Sequence, residues 1–393
     1  VDDNVNPYTP GSGTPPAELV GRAAQLTAAT VLAQRTANGL TTRSPMLSGL
    51  RGVGKTVLLN ALRGELDGHQ WLTVKVEAQV DRDARAVARR QLERGLVAGA
   101  RSLASRAGRV SGSLKKALST IGSFSLSVGP ITASLDPVKG RADSGVLEFD
   151  LSELVSDVTP ALAETGAGFA VFVDEIQDLD PTTLTALLTV QHEAAQQKWP
   201  FQLFGAGLPS VPSVLADARS YAERQFDYQS IGALSPQDAA EALVGPAREA
   251  GVTWHPEALD EVVATSAGYP YFVQEFGAQA WRLAPGPRVI TLPDAHLARE
   301  AGTEALDAGF FRSRWDRATK AEQRLLRAMA VDGDAPSQMP DLVSRLDRRR
   351  QSDLSVARRD LIGKGLVYAP ARGELAFTVP HMAAYIRRQH GLD

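Results

Sequence analysis

A parallel α/β sheet with helices on both faces is the fold class the sequence predicts, and three observations predict it. Short apolar segments alternate with segments of helical period across residues 18–234, the pattern of strands joined by helical crossovers. One of them, Phe169-Ala170-Val171-Phe172-Val173, is apolar without a break, as a central strand covered on both faces requires. A Gly-rich turn at residues 49–56 joins an apolar run to a helical one.

The first residues, with Pro7, Pro10, Gly11, Gly13, Pro15 and Pro16, read as an extended arm over 1–17, because Pro fixes φ and Gly is costly to order. Apolar residues recur at helical spacing over 18–32, and Pro45–Ser48 is a short strand. Helix returns over 56–66, strand over 71–76, and an Ala- and Arg-rich helix over 81–107. In Ser123–Leu135 the apolar residues alternate as Phe124, Leu126, Val128 and then Ile131, Ala133, Leu135 across Gly129-Pro130, which predicts a hairpin inserted between sheet strands. Helix follows at 146–162, then the central strand, helix at 183–197, and strands at 201–204 and 228–231. Residues 235–311 are helical in three blocks opened by Pro236, Pro256 and Pro293, a small helical domain. In 312–393, three helical segments (320–330, 339–346, 354–363) precede strands at 366–368 and 375–379, the order of a winged helix-turn-helix.

Composition narrows the function classes. The chain has 393 residues, 44% of them hydrophobic, and 42 basic against 45 acidic side chains give a net charge of −3. Nucleic acid or an anionic membrane is then not coated by bulk charge, and such contact needs a local patch. Cysteine is absent, which removes disulfides, thiolate nucleophiles and cysteine zinc sites, and the six histidines show no metal-ligand spacing. The start carries no basic and apolar regions of a secretion signal, and no apolar stretch reaches the roughly 18 residues of a membrane span. A cytoplasmic protein without membrane contact is expected.

Gly49-Leu50-Arg51-Gly52-Val53-Gly54-Lys55-Thr56 fits G-x-x-x-x-G-K-[ST] in the strand-to-helix setting that the motif requires. Glycines let the backbone curl so that successive N–H groups face a polyphosphate, and the helix start adds a positive dipole end. Lys55 reaches the β and γ oxygens, and the Thr56 hydroxyl takes Mg²⁺. Gly49, Gly52, Val53, Gly54, Lys55, Thr56 and Val57 are the expected contacts to ATP or ADP. The second half of such a site is a carboxylate at the end of a buried strand, and Phe169–Val173 runs into Asp174-Glu175. Asp174 is expected to hold Mg²⁺ and Glu175 to polarise the attacking water.

On these residues the chain resembles the AAA+ ATPases, in particular the initiator-like, origin-recognition-related group that also contains signal-transducing and transposition-regulating members. The likeness includes Glu18-Leu19-Val20-Gly21-Arg22 ahead of the loop, Asp174-Glu175-Ile176-Gln177, Tyr221-Ala222-Glu223-Arg224 after the fourth strand, a helical lid and a C-terminal winged helix. It implies a P-loop nucleotide-binding domain over 18–234, a lid over 235–311 and a winged helix-turn-helix over 312–393. It implies that Leu19 and Val20 border the adenine, and that Arg224 is the finger offered to a neighbouring subunit's γ-phosphate in a homo-oligomer. Read without it, Arg224 is a solvated or salt-bridged surface arginine, and Arg219 is its rival for the finger. Two positions depart from the pattern. The fourth strand ends Phe204-Gly205-Ala206-Gly207, without the usual polar residue, and the lid reads Gly268-Tyr269-Pro270-Tyr271, without arginine; Arg282 is the nearest substitute. Both departures favour slow turnover.

Residues 312–359 hold twelve Arg or Lys against seven acids, the local patch that bulk charge lacks. Arg358 and Arg359 on the third helix are expected to reach bases or phosphates of double-stranded DNA, with Arg348, Arg349, Arg350 and the wing residue Arg372 on the backbone. A protein-binding winged helix is the alternative. The function expected is an Mg²⁺-dependent ATPase switch that couples nucleotide state to DNA binding or self-assembly. Its rivals are a scaffold holding nucleotide as a latch with negligible turnover, and a small-molecule kinase.

Overall fold

The structure, a computed structural model, describes residues 2–11, 13–79, 83–106, 112–126, 141–284, 286 and 288–391. The chain divides into two compact units, one spanning residues 22–49 and 55–230, the other spanning 1–21, 50–54 and 231–393.

The first unit is built on five parallel strands, β1 (Ser44–Ser48), β2 (Leu72–Glu77), β3 (Phe169–Asp174), β4 (Phe201–Gly207) and β5 (Phe226–Ser230), in the order β2-β3-β4-β1-β5. Parallel neighbours need crossovers, and helices supply them: α1 (Ala23–Ala37) ahead of β1, then α2 (Lys55–Gly68), α3 (Ala84–Arg106), α4 (Gly112–Leu126), α5 (Leu147–Ala163), α6 (Pro181–Gln197), α7 (Val211–Ala218) and α8 (Ala222–Gln225). All six residues of β3 are buried, because the strand is paired on both edges and covered on both faces. Its register on β4 sets Phe169 opposite Phe201 and Phe172 opposite Phe204. The first pair meets edge to face at 5.2 Å and the second stacks at 4.5 Å, cross-strand aromatic pairs of the kind that fix register. At the sheet margin, β5 exposes polar residues such as Asp227 and Ser230, as an edge strand must to stay unpaired.

The hairpin expected over 123–135 does not form where the chain is described. Ser123–Leu126 close α4, and Phe124 is fully buried; residues 127–135 lie outside the described residues. The physical reason is the longer period. Ala117, Ile121 and Phe124 recur at helical spacing and are all buried, and a face of that width outweighs a two-residue alternation. Buried Asp157 on α5 then ties α4 down, accepting from Thr120 Oγ1 at 2.9 Å and pairing with Lys116 at 2.8 Å.

In the second unit, α9 (Pro236–Glu249), α10 (Pro256–Ser266), α11 (Pro270–Leu283) and α12 (Leu292–Ala305) form a helical layer. Proline opens three of them at the first helical position, where its missing N–H is not needed. The block read as one helix over 256–284 breaks because Ala267 and Gly268 adopt positive φ ahead of Pro270. Two short parallel strands, β6 (Thr253–Trp254) and β7 (Val289–Ile290), escaped the sequence pattern at two residues each. A π-helical turn (Leu306–Phe311) and α13 (Arg312–Asp316) lead to α14 (Lys320–Ala330), β8 (Ser337–Gln338), α15 (Met339–Arg345), α16 (Ser355–Gly363), β9 (Val367–Tyr368), β10 (Glu374–Phe377) and α17 (Met382–His390). The last three strands form an antiparallel sheet in the order β8-β10-β9.

The N-terminal arm is anchored within this second unit by Tyr8, which is 4% exposed. Its hydroxyl donates to Leu243 O at 2.6 Å and accepts from Trp254 Nε1 at 3.0 Å, and its ring meets Trp254 and Trp281 edge to face. Trp281 Nε1 donates to Asp2 O at 2.9 Å. Tyr8→Ala is expected to destabilise the full chain by about 3–5 kcal/mol, through lost aromatic burial and two orphaned polar groups, and Tyr8→Phe by about 1 kcal/mol; urea melts followed by tryptophan fluorescence check both.

Candidate functional site

The turn from β1 into α2 is made by glycines at positive φ. Gly52 sits at φ 86° and Gly54 at φ 89°, a region that side-chain-bearing residues rarely enter. A Cβ at Gly54 would meet nothing within 4 Å, so at that position backbone conformation, not crowding, demands glycine. The turn starts from a fixed point: Gly49 N donates to Gly207 O, the last residue of β4, at 3.1 Å. It ends in α2, whose first residue, Lys55, is 6% exposed. A buried lysine heading a helix, after a run of curled backbone, is an arrangement that suits a polyphosphate.

Asp174 closes β3 at 4% exposed. Register places it: Val173 stands opposite Gly205 on β4, and Gly205 opposite Met46 on β1. The end of β3 and the end of β1 are thus level, two strand spacings or roughly 10 Å apart. Asp174 Oδ1 accepts from Glu175 N at 3.0 Å. Glu175 itself is left-handed, with φ 49° and ψ 46°. For a residue with a Cβ that conformation is strained.

Gln177 is a residue of this strand end that carried no role of its own in the sequence. Its Nε2 donates to Glu175 Oε2 at 2.8 Å and to Asp178 Oδ2 at 3.1 Å, while its Oε1 accepts from Leu208 N at 3.0 Å. The end of β4 carries no polar side chain of its own; there the amide of Gln177 lies against Gly207, where a Cβ would collide with it. Its place in Asp174-Glu175-Ile176-Gln177 was the available signal, but nothing in that string tells which strand end the amide faces.

Residues 18–204 match a family model described as an AAA ATPase domain, and residues 308–386 match one described as a domain of unknown function (DUF8462). No curated protein matches the chain. Among solved structures, the chain is similar to the Walker-type ATPase PABY2304 of Pyrococcus abyssi, at 16% identity and a TM-score of 0.61, covering 94% of this chain and 96% of that one. The Thermotoga maritima RuvB Holliday junction branch migration motor matches at 14% identity and TM-score 0.44 over 91% and 92% of the two chains. The Aeropyrum pernix ORC1 protein in complex with DNA matches at 14% and 0.45 over 95% and 94%. The core has the AAA+ P-loop ATPase fold.

The other expected site residues lie as follows. In the AAA+ core, Arg224 is exposed on the short α8, and among the described residues it has no ion-pair partner. Arg219 is engaged inside the unit, 3.7 Å from Glu148 and 3.4 Å from Thr189 Oγ1. Val57 follows Thr56 in the first turn of α2. In the second unit, Leu19 and Val20 precede Gly21, whose φ of 71° seats the turn against Asp238 and Leu234. Arg282 pairs with Asp3 at 3.2 Å on the surface of the unit. Arg348, Arg349 and Arg350 are exposed between α15 and α16, Arg359 is exposed on α16 and paired with Asp360, and Arg372 is exposed between β9 and β10. Arg358 differs: its Nε is buried, with no hydrogen-bond partner among the described residues. Among the described residues, no helix is long and apolar enough to cross a membrane.

Gln177→Ala is expected to cost the full chain about 1–3 kcal/mol by leaving Leu208 N unpaired. Gln177→Glu should cost more, because it sets a third carboxylate against Glu175 and Asp178. Urea denaturation of both variants checks the order.

Proposed function

We propose that this chain is an Mg²⁺-dependent ATPase that works as a slow nucleotide-state switch. The observation that carries the reading is the curled, glycine-turned loop delivering buried Lys55 to the head of α2, at the same sheet end as Asp174-Glu175. In this reading the amides of residues 52–56 and the Lys55 ammonium hold the phosphate chain. Glu175 accepts a proton from the attacking water and aims it, and Gln177 fixes the carboxylate that does so. Thr56 and Asp174 are the residues that would hold Mg²⁺, which when bound neutralises charge on the transferring phosphate. The fit rests on the buried Asp174 carboxylate and the open face of Gly54. Leu19 and Val20 border the base, and Arg224, exposed and without an ion-pair partner among the described residues, serves a neighbouring copy's nucleotide.

We read residues 312–393 as a winged helix-turn-helix, supported by α14, α15 and α16 followed by the β9–β10 pair. The exposed Arg348, Arg349, Arg350, Arg359 and Arg372 support contact with the phosphates of double-stranded DNA. A second reading, a latch with negligible turnover that binds protein instead, is favoured by Phe204-Gly205-Ala206-Gly207, which lacks a polar side chain to feel the γ-phosphate.

Two variants test the reading. Lys55→Ala is expected to lose ATP binding in calorimetry, whereas Glu175→Gln keeps ATP and loses phosphate release by about 10²-fold or more. Unchanged turnover in Glu175→Gln overturns its assigned role. Titration with random duplex DNA separates the two readings: phosphate contacts make affinity fall steeply with salt, and no binding at low salt favours the latch.

A further inference from the structure

The second unit carries a half-buried, unbalanced charge close enough to Arg51 of the phosphate loop to feel its field. Arg314, on α13, turns inward: its Nη1 donates to Phe310 O at 2.7 Å, and the guanidinium carbon stands 3.6 Å from the centroid of the Phe310 ring. Among the described residues no carboxylate pairs with it. The charged neighbours that act on it are of its own sign, Arg51 and Arg317. Burial first, with the like charges of Arg51 and Arg317 adding to it and Tyr269 and Tyr271 opposing it, presses its pKa down to about 10.

Tyr269, just ahead of α11, completes the arrangement. It is 3% exposed, and its hydroxyl has no hydrogen-bond partner among the described residues. The ring covers Gly52: a Cβ there would lie 2.7 Å from a ring carbon and 3.4 Å from the hydroxyl oxygen. Gly52 is therefore glycine for two reasons, its φ of 86° and this ring. Arg51, its neighbour in the loop, lies against Gly365.

A half-buried guanidinium without a counter-ion and a buried hydroxyl without an acceptor each cost free energy. One ligand relieves both: an anion with several acceptor oxygens. The guanidinium fork suits a phosphate, and a phenol O–H donates to a third oxygen. The loop segment that the pair adjoins is the one expected to present its N–H groups to phosphates.

We propose that Arg314 and Tyr269 are a phosphate-binding pair that grips the terminal phosphates of a nucleotide seated on residues 50–54. The inference rests on the nucleotide reading above and adds to it a cation supplied from beyond the lid helices, where the Gly268-Tyr269-Pro270-Tyr271 segment offers none. It also gives the C-terminal residues a direct stake in whether phosphate is present, since α13 opens the segment that leads to α14.

The test uses the full chain, with calorimetric titration of ATP and of inorganic phosphate, and thermal melts with and without each. Arg314→Met is expected to weaken ATP about tenfold or more, the loss of a charge-assisted bond. Arg314→Lys should recover part of that loss, and Tyr269→Phe should weaken ATP about threefold. Without ligand, Arg314→Met is expected to melt no lower than wild type, because it removes a cation with no counter-ion. An arginine that merely packs the fold would melt lower on substitution and leave ATP affinity alone. If wild type and Arg314→Met bind ATP equally, the inference is overturned and the nucleotide reading stands. If only Tyr269→Phe is silent, the hydroxyl has no part in the grip. If wild type binds no nucleotide, the nucleotide reading fails and takes this inference with it. An Arg314-dependent shift by inorganic phosphate without ATP binding assigns the site to the free ion and likewise overturns the proposal.

Discussion

One turn of main chain constrains the rest of the molecule. To pass from β1 into α2, the backbone must take two excursions to positive φ within three residues, at Gly52 and Gly54, and it starts from an amide pinned to the end of β4. Glycine removes the steric barrier to that path. The result is a loop that leaves the sheet at the end of β1 and curls into the head of α2. A parallel sheet then does the placement, because every strand delivers its carboxyl end to the same edge. Asp174 needs no other device to reach the level of the loop.

The dry centre of the sheet sets the electrostatics of that edge. β3 is buried along its length, so a carboxylate at its last position is taken out of water and costs free energy unless something partners it. The structure meets that demand locally. Asp174 takes the amide of Glu175, Glu175 takes the amide of Gln177, and Gln177 reaches across to the end of β4. The left-handed backbone at Glu175 is the strained link in this chain of bonds, and strain of this kind gathers at sites where geometry matters more than stability.

In the second unit, charge counting and charge placement part company. Several of the basic residues that make 312–359 electropositive are spoken for: Arg345 grips Asp332 through two bonds of 2.6 Å, and Arg314 is stacked on Phe310. Beyond that stretch, Lys364 is paired with buried Glu322 at 2.6 Å, and Arg388 with Asp307. What remains exposed is confined to Arg348–Arg350, Arg359 and Arg372 among the arginines singled out for DNA. Only three-dimensional proximity decides which basic side chains meet a carboxylate of the same unit.

By itself the sequence determined the five core strands, the longer helices at α2, α3, α5 and α6 and the glycine-rich loop, because each is written in a local period or in residues that the backbone path cannot do without. The unbroken apolar run at 169–173 is the central strand, and Gly52 and Gly54 take a backbone path that other residues rarely enter. Tertiary structure alone decided the rest. It turned Phe124 from a strand residue into the seam of α4, since the face presented to α5 was wider than the alternation suggested. It brought Gln177 to the end of β4, tied Arg282 to Asp3, and set Tyr269 on Gly52 beside Arg314. These contacts join residues far apart in the chain, and no period or propensity of one segment carries the position of another.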